Sequence, residues 1–170
     1  MGKRMNSVTE LIPKPLLPIN GIPIIDSFLF NISKLGFSEV IIVINHLSDL
    51  IIEYCGNGSK YNVNIKYIFQ EKPDGTGSAV KKALNNEIHD VMIIGGDTFF
   101  SFDHYKKSIE TYKKSNADGL IILKEVSKSI ITKTSLVSLN EDNFITNFIE
   151  KPKLHQVDGN IGSALFHIYN

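Results

Sequence analysis

Short apolar runs alternate along this chain with segments that carry helix punctuation, and that alternation restricts the fold more than any other feature. Residues 39–44 (EVIIVI), 65–69 (IKYIF), 91–94 (VMII) and 119–123 (GLIIL) read as strands. Their continuous Ile and Val content predicts burial on both faces, as parallel strands between helices require. Helices are predicted over 23–35, 47–54, 78–84 and 103–114. The first opens on Pro23 and halts at Gly36, the expected start and stop chemistry. Beyond Lys124 the pattern changes. Residues 135–139 and 144–149 flank the polar stretch Asn140-Glu141-Asp142-Asn143 and predict a β-hairpin. There is no internal repeat, low-complexity tract or linker, so the 170 residues read as one α/β domain with a β-rich tail.

Charge and cysteine content exclude several function classes. Eighteen basic and eighteen acidic side chains cancel, so no global field favours nucleic acid or an acidic membrane. An anionic ligand must therefore be held by a few locally placed groups. The apolar runs, residues 40–44 among the longest, are far too short to span a bilayer, and no apolar signal region opens the chain. Cys55 is the only cysteine, which excludes an intrachain disulfide and suits a reducing cytoplasm. It reads as packing filler at a helix end rather than as a nucleophile. A homo-oligomer is compatible with the sequence, which does not specify one.

Four segments carry candidate chemistry. The first pairs Gly2-Lys3-Arg4 with Pro13-Lys14-Pro15. Glycine lets backbone N–H groups approach phosphate oxygens, and a guanidinium clamps polyphosphate bidentately. Arg4 is the one arginine in a lysine-rich chain, and Lys14 is stiffened by a proline on each side. A basic tail and a proline-rich turn are the alternative reading. The second segment, Gln70 to Ala79, joins a strand to a helix, where open α/β folds bind ligands. The Gln70 amide can both donate to and accept from a base edge, and Gly75 lets a flat ring lie on the backbone. Thr76 lies in the turn just before the helix, whose N-terminus favours negative charge. A plain glycine-rich turn is the alternative.

The third is Gly95-Gly96-Asp97, directly after a buried strand, where a carboxylate is poised to hold Mg²⁺ or to cap the next helix. The fourth is Glu150-Lys151-Pro152 at the hairpin's end, which reads as a second phosphate and sugar contact or as a solvated strand end.

In this order, over the whole chain, the four segments resemble the sugar-1-phosphate nucleotidyltransferase family. Residues 11–57, with IPKPLLPINGIPII and LGFSEVIIVINHLSDLI, are especially similar to it. The resemblance implies a Rossmann-like, mixed and mostly parallel sheet flanked by helices. It implies a reaction in which a sugar 1-phosphate oxygen attacks the α-phosphorus of a nucleoside triphosphate and pyrophosphate leaves. Such chemistry needs positioning and charge neutralisation rather than a protein nucleophile. By the same resemblance, Gly2 and Arg4 hold the triphosphate, Lys14 bridges the reacting phosphates, and Gln70, Gly75 and Thr76 take the nucleotide. Asp97 ligates Mg²⁺, while Glu150 and Lys151 bind the sugar and its phosphate.

The family's pattern also departs from this chain. Its glycine loop begins one strand earlier than Met1, its hairpin opens on Tyr-Gly-Val-Val where this chain has Thr134-Ser135-Leu136-Val137, and its second metal aspartate lies beyond Asn170. The expectation is a single incomplete domain over 1–170, turning over feebly at best. A catalytically dead nucleotide-binding relative and a nucleotide-sugar glycosyltransferase are the alternatives. The latter is disfavoured because Asp97-Thr98-Phe99 lacks an Asp-x-Asp metal motif.

Overall fold

The structure, a computed structural model, describes residues 11–72, 75–84 and 90–170. A small hairpin of β1 (Pro18–Ile19) and β2 (Ile22–Pro23) turns through Asn20 and Gly21, at φ 51° and 79°. Two left-handed residues are what a tight turn between antiparallel strands demands. Helix α1 (Ile24–Lys34) follows at once and buries Ile25, Leu29 and Ile32, spaced so that they share one face. Its end closes a Schellman motif. The Phe37 N–H donates to the Ile32 carbonyl at 3.2 Å and the Gly36 N–H to that of Ser33 at 3.0 Å, with Gly36 at φ 88°. The helix stops at the glycine the sequence marks.

Strand β3 (Glu39–Ile44) runs through α2 (Ser48–Cys55) into β4 (Asn64–Phe69), its parallel partner. Helix α3 (Thr76–Ala83) lies between β4 and β5 (Val91–Ile94) in the chain. After β5, α4 (Phe102–Lys114) leads to β6 (Gly119–Glu125). The predicted hairpin is β7 (Ser135–Leu139) with β8 (Ile145–Glu150). Asn140 Oδ1 shapes its turn by accepting from the N–H groups of Asp142 and Phe144.

A ninth strand, β9 (Ile161–Tyr169), has no counterpart in the sequence reading. It runs antiparallel to both β5 and β6. Those two strands therefore point the same way, as a βαβ unit requires, yet bond to β9 instead of each other. The mixed α/β character is as expected. Within it, β3–β4 is the parallel ladder and the other described ladders are antiparallel, because β9 occupies the position between the two parallel strands.

The buried apolar residues form three clusters, one of which joins Val126, Ile131 and Leu136. A larger one joins α1, β3, α2 and β4 around Tyr61, and another seats Tyr105 of α4 against Phe166 of β9, ring centroids 5.3 Å apart. Among the described residues, the β3–β4 pair shares no ladder with the sheet that contains β5. A cavity of about 840 Å³ lies there, walled by Val40 and Ile42 on one side and by Val91 and Ile93 on the other. No helix among the described residues is long and apolar enough to cross a membrane.

Candidate functional site

The segments that follow β3, β4 and β5 assemble at one end of this cavity. Lys14 sits in a single 3₁₀ turn, Lys14–Leu16, entered through Pro13 and continued by Pro15. The Leu16 N–H donates to the Pro13 carbonyl and the Leu17 N–H to that of Lys14, at 2.9 and 3.0 Å. The Leu17 carbonyl in turn accepts from the Ile24 N–H at 3.1 Å, which ties the turn to the start of α1. The lysine thus projects from stiff backbone, and its Nζ lies 2.5 Å from Asp97 Oδ2.

Asp97 follows β5 in a turn closed by Thr98, whose N–H and hydroxyl both donate to the Gly95 carbonyl, at 3.0 and 2.6 Å. Its carboxylate is not a helix cap. The cap of α4 is Ser101, which accepts from the His104 N–H. Side chains of Lys14 and Asp97 are 42% and 47% exposed, so both ends of the pair can be reached by a ligand.

Gln70, Gly75 and Thr76 line the cavity together with Gly95 and Gly96, the residues just before Asp97. Gln70 is buried, and its N–H continues the parallel ladder by donating to the Ile44 carbonyl at 2.8 Å. Gly75 precedes α3 at φ 108°, a conformation that favours glycine. Neither Gly75 nor Gly77 would place a Cβ within 4 Å of another atom, so the surface above this turn is open. The helix begins at Thr76, two residues earlier than predicted, and Thr76 lines the cavity.

Asn45 is a member of this constellation that sequence reading missed. Its side-chain amide donates to the carbonyl of Gln70 and, at 3.2 Å, to that of Glu71.

Glu150 and Lys151 belong to a different part of the surface. The Lys151 Nζ is 3.1 Å from Glu150 Oε1, and the Ser135 hydroxyl donates to the same carboxylate. That hydroxyl above all, and the ammonium beside it, hold the Glu150 carboxyl below the usual carboxylate range against the opposing cost of partial burial. Neither residue is among those that line the cavity. Gly2 and Arg4 lie outside the described residues. Cys55 is buried, and burial pushes its thiol up, away from the thiolate a nucleophile needs.

The donor set limits which metal the site suits. Among the described residues no group of three or more His, Cys, Asp or Glu could hold an ion. One exposed carboxylate, Asp97, fits a hard divalent cation that takes its other ligands from water and phosphate oxygens, as Mg²⁺ does.

Comparison with known proteins points in one direction. Residues 1–169 match the nucleotidyl transferase family. A D-glycero-α-D-manno-heptose 1-phosphate guanylyltransferase from Aneurinibacillus thermoaerophilus is 30% identical over 98% of this chain and 70% of its own length. The bifunctional protein GlmU of Methanococcus maripaludis is 31% identical over 99% of the chain, although only 38% of that protein is covered. Among solved structures, HddC from Yersinia pseudotuberculosis, complexed with GMP-PN, superposes with a TM-score of 0.71. It is 26% identical over 98% of this chain and 71% of its own. A Bacillus anthracis protein solved with a sucrose has the same fold at a TM-score of 0.82 and 20% identity, over 99% of this chain and 67% of its own.

Proposed function

This chain belongs to the nucleotidyl transferase family, and from that premise we propose that it transfers a nucleoside monophosphate from a nucleoside triphosphate to a sugar 1-phosphate. The observation that carries the reading is the meeting of Lys14 and Asp97 beside a cavity walled by Gln70, Gly75 and Thr76. A cation and an anion with exposed heads, next to an apolar slot edged by an amide, match the three parts of a nucleotide–metal complex.

In this reading the base lies against Gly75 and Thr76 and is read by the Gln70 amide. Lys14 places its ammonium on the reacting phosphates, and Gly2 and Arg4 hold the remainder of the triphosphate. Glu150 and Lys151 take the sugar and its phosphate. The sugar 1-phosphate oxygen attacks the α-phosphorus, the bond from that phosphorus to the bridging oxygen breaks, and pyrophosphate leaves with the electron pair. No covalent protein intermediate is needed. Mg²⁺ held at Asp97 supplies, when bound, further neutralisation of phosphate charge. Lys14 neutralises the reacting phosphates, and the Arg4 guanidinium contributes most where charge grows on the departing pyrophosphate, an interaction stronger in the transition state than in the ground state. One carboxylate leaves an ion such as Mg²⁺ to take its other ligands from water and the substrate phosphates. A nucleoside triphosphate and a sugar 1-phosphate as substrates support a cytoplasmic location.

The names of two relatives make GTP with D-glycero-α-D-manno-heptose 1-phosphate the first pair to try. UTP with glucose 1-phosphate comes next, after a third relative from Synechocystis. The test is mass-spectrometric detection of the nucleotide sugar together with pyrophosphate release. Product that requires both substrates and Mg²⁺ supports the reading; no product and no triphosphate binding from any of the common triphosphates overturns it.

A further inference from the structure

We propose that Asn45 is a positioning residue that sets base selectivity by fixing the path of the chain out of β4. The proposal rests on the reading that Gln70, Gly75 and Thr76 hold the base. Asn45 is the first residue after β3, and Gln70 the first after its parallel partner β4. The ladder between them ends with the Gln70 N–H donating to the Ile44 carbonyl at 2.8 Å. Beyond that bond β3 offers no further backbone donor to β4, because the chain turns through Leu47 at φ 57° into α2. The Asn45 amide takes over. Its Nδ2 carries two hydrogens, and it donates to the Gln70 carbonyl and, at 3.2 Å, to the Glu71 carbonyl.

Two consecutive carbonyls held by one side chain leave the peptide between them a single orientation. That peptide determines where the buried Gln70 side chain meets the cavity and how the chain heads toward Gly75. Few side chains can do this from position 45. Aspartate has no donor when ionised and would face two carbonyl oxygens, and serine has one donor on a shorter arm. A base edge is discriminated by groups held in place, since a mobile amide satisfies wrong bases as readily as right ones.

The experiment is calorimetric titration of the 170-residue protein with GTP, UTP, dTTP and ATP in Mg²⁺, beside its Asn45→Ala, Asn45→Asp and Asn45→Ser variants. Glucose 1-phosphate is the control ligand. For Asn45→Ala, affinity for the preferred triphosphate is expected to fall about tenfold. The ratio between preferred and least preferred bases should shrink similarly, with sugar-phosphate affinity unchanged. Asn45→Asp should do at least as much. Asn45→Ser should fall between wild type and Asn45→Ala, and it supplies the comparison if loss of both donors unfolds the chain. Unchanged base ratios in variants that fold overturn the role of Asn45 alone. A wild type that binds triphosphates without preference overturns the base-reading assignment on which it rests.

Discussion

Lys14 and Asp97, 83 residues apart in the chain, meet with Nζ and Oδ2 separated by 2.5 Å. Each side chain is nearly half exposed, and an exposed pair of this kind contributes roughly 0–1 kcal/mol to stability. The meeting therefore matters to the site far more than to the fold. Lys14→Ala should lower turnover about 100-fold, the scale of losing one preorganised electrostatic contact. The thermal midpoint should stay within a few degrees of wild type. Steady-state kinetics beside a melting curve checks both.

The Lys14–Asp97 geometry hangs on a close backbone approach. A Cβ placed on Gly96 would lie 3.3 Å from Pro15 Cγ, and Pro15 and Gly96 are the immediate neighbours of the two charged residues. Gly96→Ala should push the Lys14 turn away by a few tenths of an ångström. Because misplacement by about 1 Å costs roughly 100-fold, this smaller shift should lower kcat severalfold with little loss of stability. Gly96→Val should cost more. Equal rates for all three proteins would detach the glycine from the site.

At the hairpin, the Ser135 hydroxyl donates to Glu150. That bond, more than the Lys151 ammonium, lowers the carboxyl pKa. A carboxyl lowered in the folded state stabilises above its unfolded pKa, and the contribution disappears as pH falls through the folded value. The stability difference between wild type and Ser135→Ala should therefore be present at neutral pH and vanish in acid. Urea denaturation at neutral pH and at pH near 3 tests the sign.

His167 gives the opposite kind of titration. Burial on the β9 face pushes its pKa below the ordinary 6.5. The Tyr169 hydroxyl lies 3.0 Å from Nδ1 and that of Ser163 3.4 Å from Nε2. The unfolded chain then binds a proton more readily than the folded one. Stability should fall as pH drops from about 6.5 toward the folded value. His167→Gln should flatten that slope, as read from melting temperatures between pH 5 and 7.5.

What the sequence made legible follows from how local each signal is. Strands β3, β4, β5 and β6 announce themselves as Ile/Val runs, and α1 by Pro23 and Gly36, because those residues act on their own backbone. β9 was not read. It opens Ile-Gly-Ser-Ala, and only the alternation of Phe166 and Ile168 with His167 and Tyr169 hints at a strand buried on one face. Its place between β5 and β6 is a tertiary choice that no local pattern encodes. The Asn20-Gly21 hairpin is marked only by its dipeptide, whose two residues adopt positive φ. Motif position marked Lys14, Gln70 and Asp97 as candidates, whereas Asn45 acts on carbonyls 25 and 26 residues away and has no motif of its own.

The account stands most directly on Asp97. Pyrophosphate release should be measured for wild type and Asp97→Asn, with Mg²⁺, GTP and D-glycero-α-D-manno-heptose 1-phosphate, then with the remaining triphosphates and sugar 1-phosphates. The amide keeps the shape of the carboxylate and removes the charge that would hold the cation. The account predicts Mg²⁺-dependent release by the wild type. It also predicts a loss of roughly 100- to 1,000-fold in the variant, with thermal midpoints that agree to within a few degrees. Full activity in Asp97→Asn would contradict it.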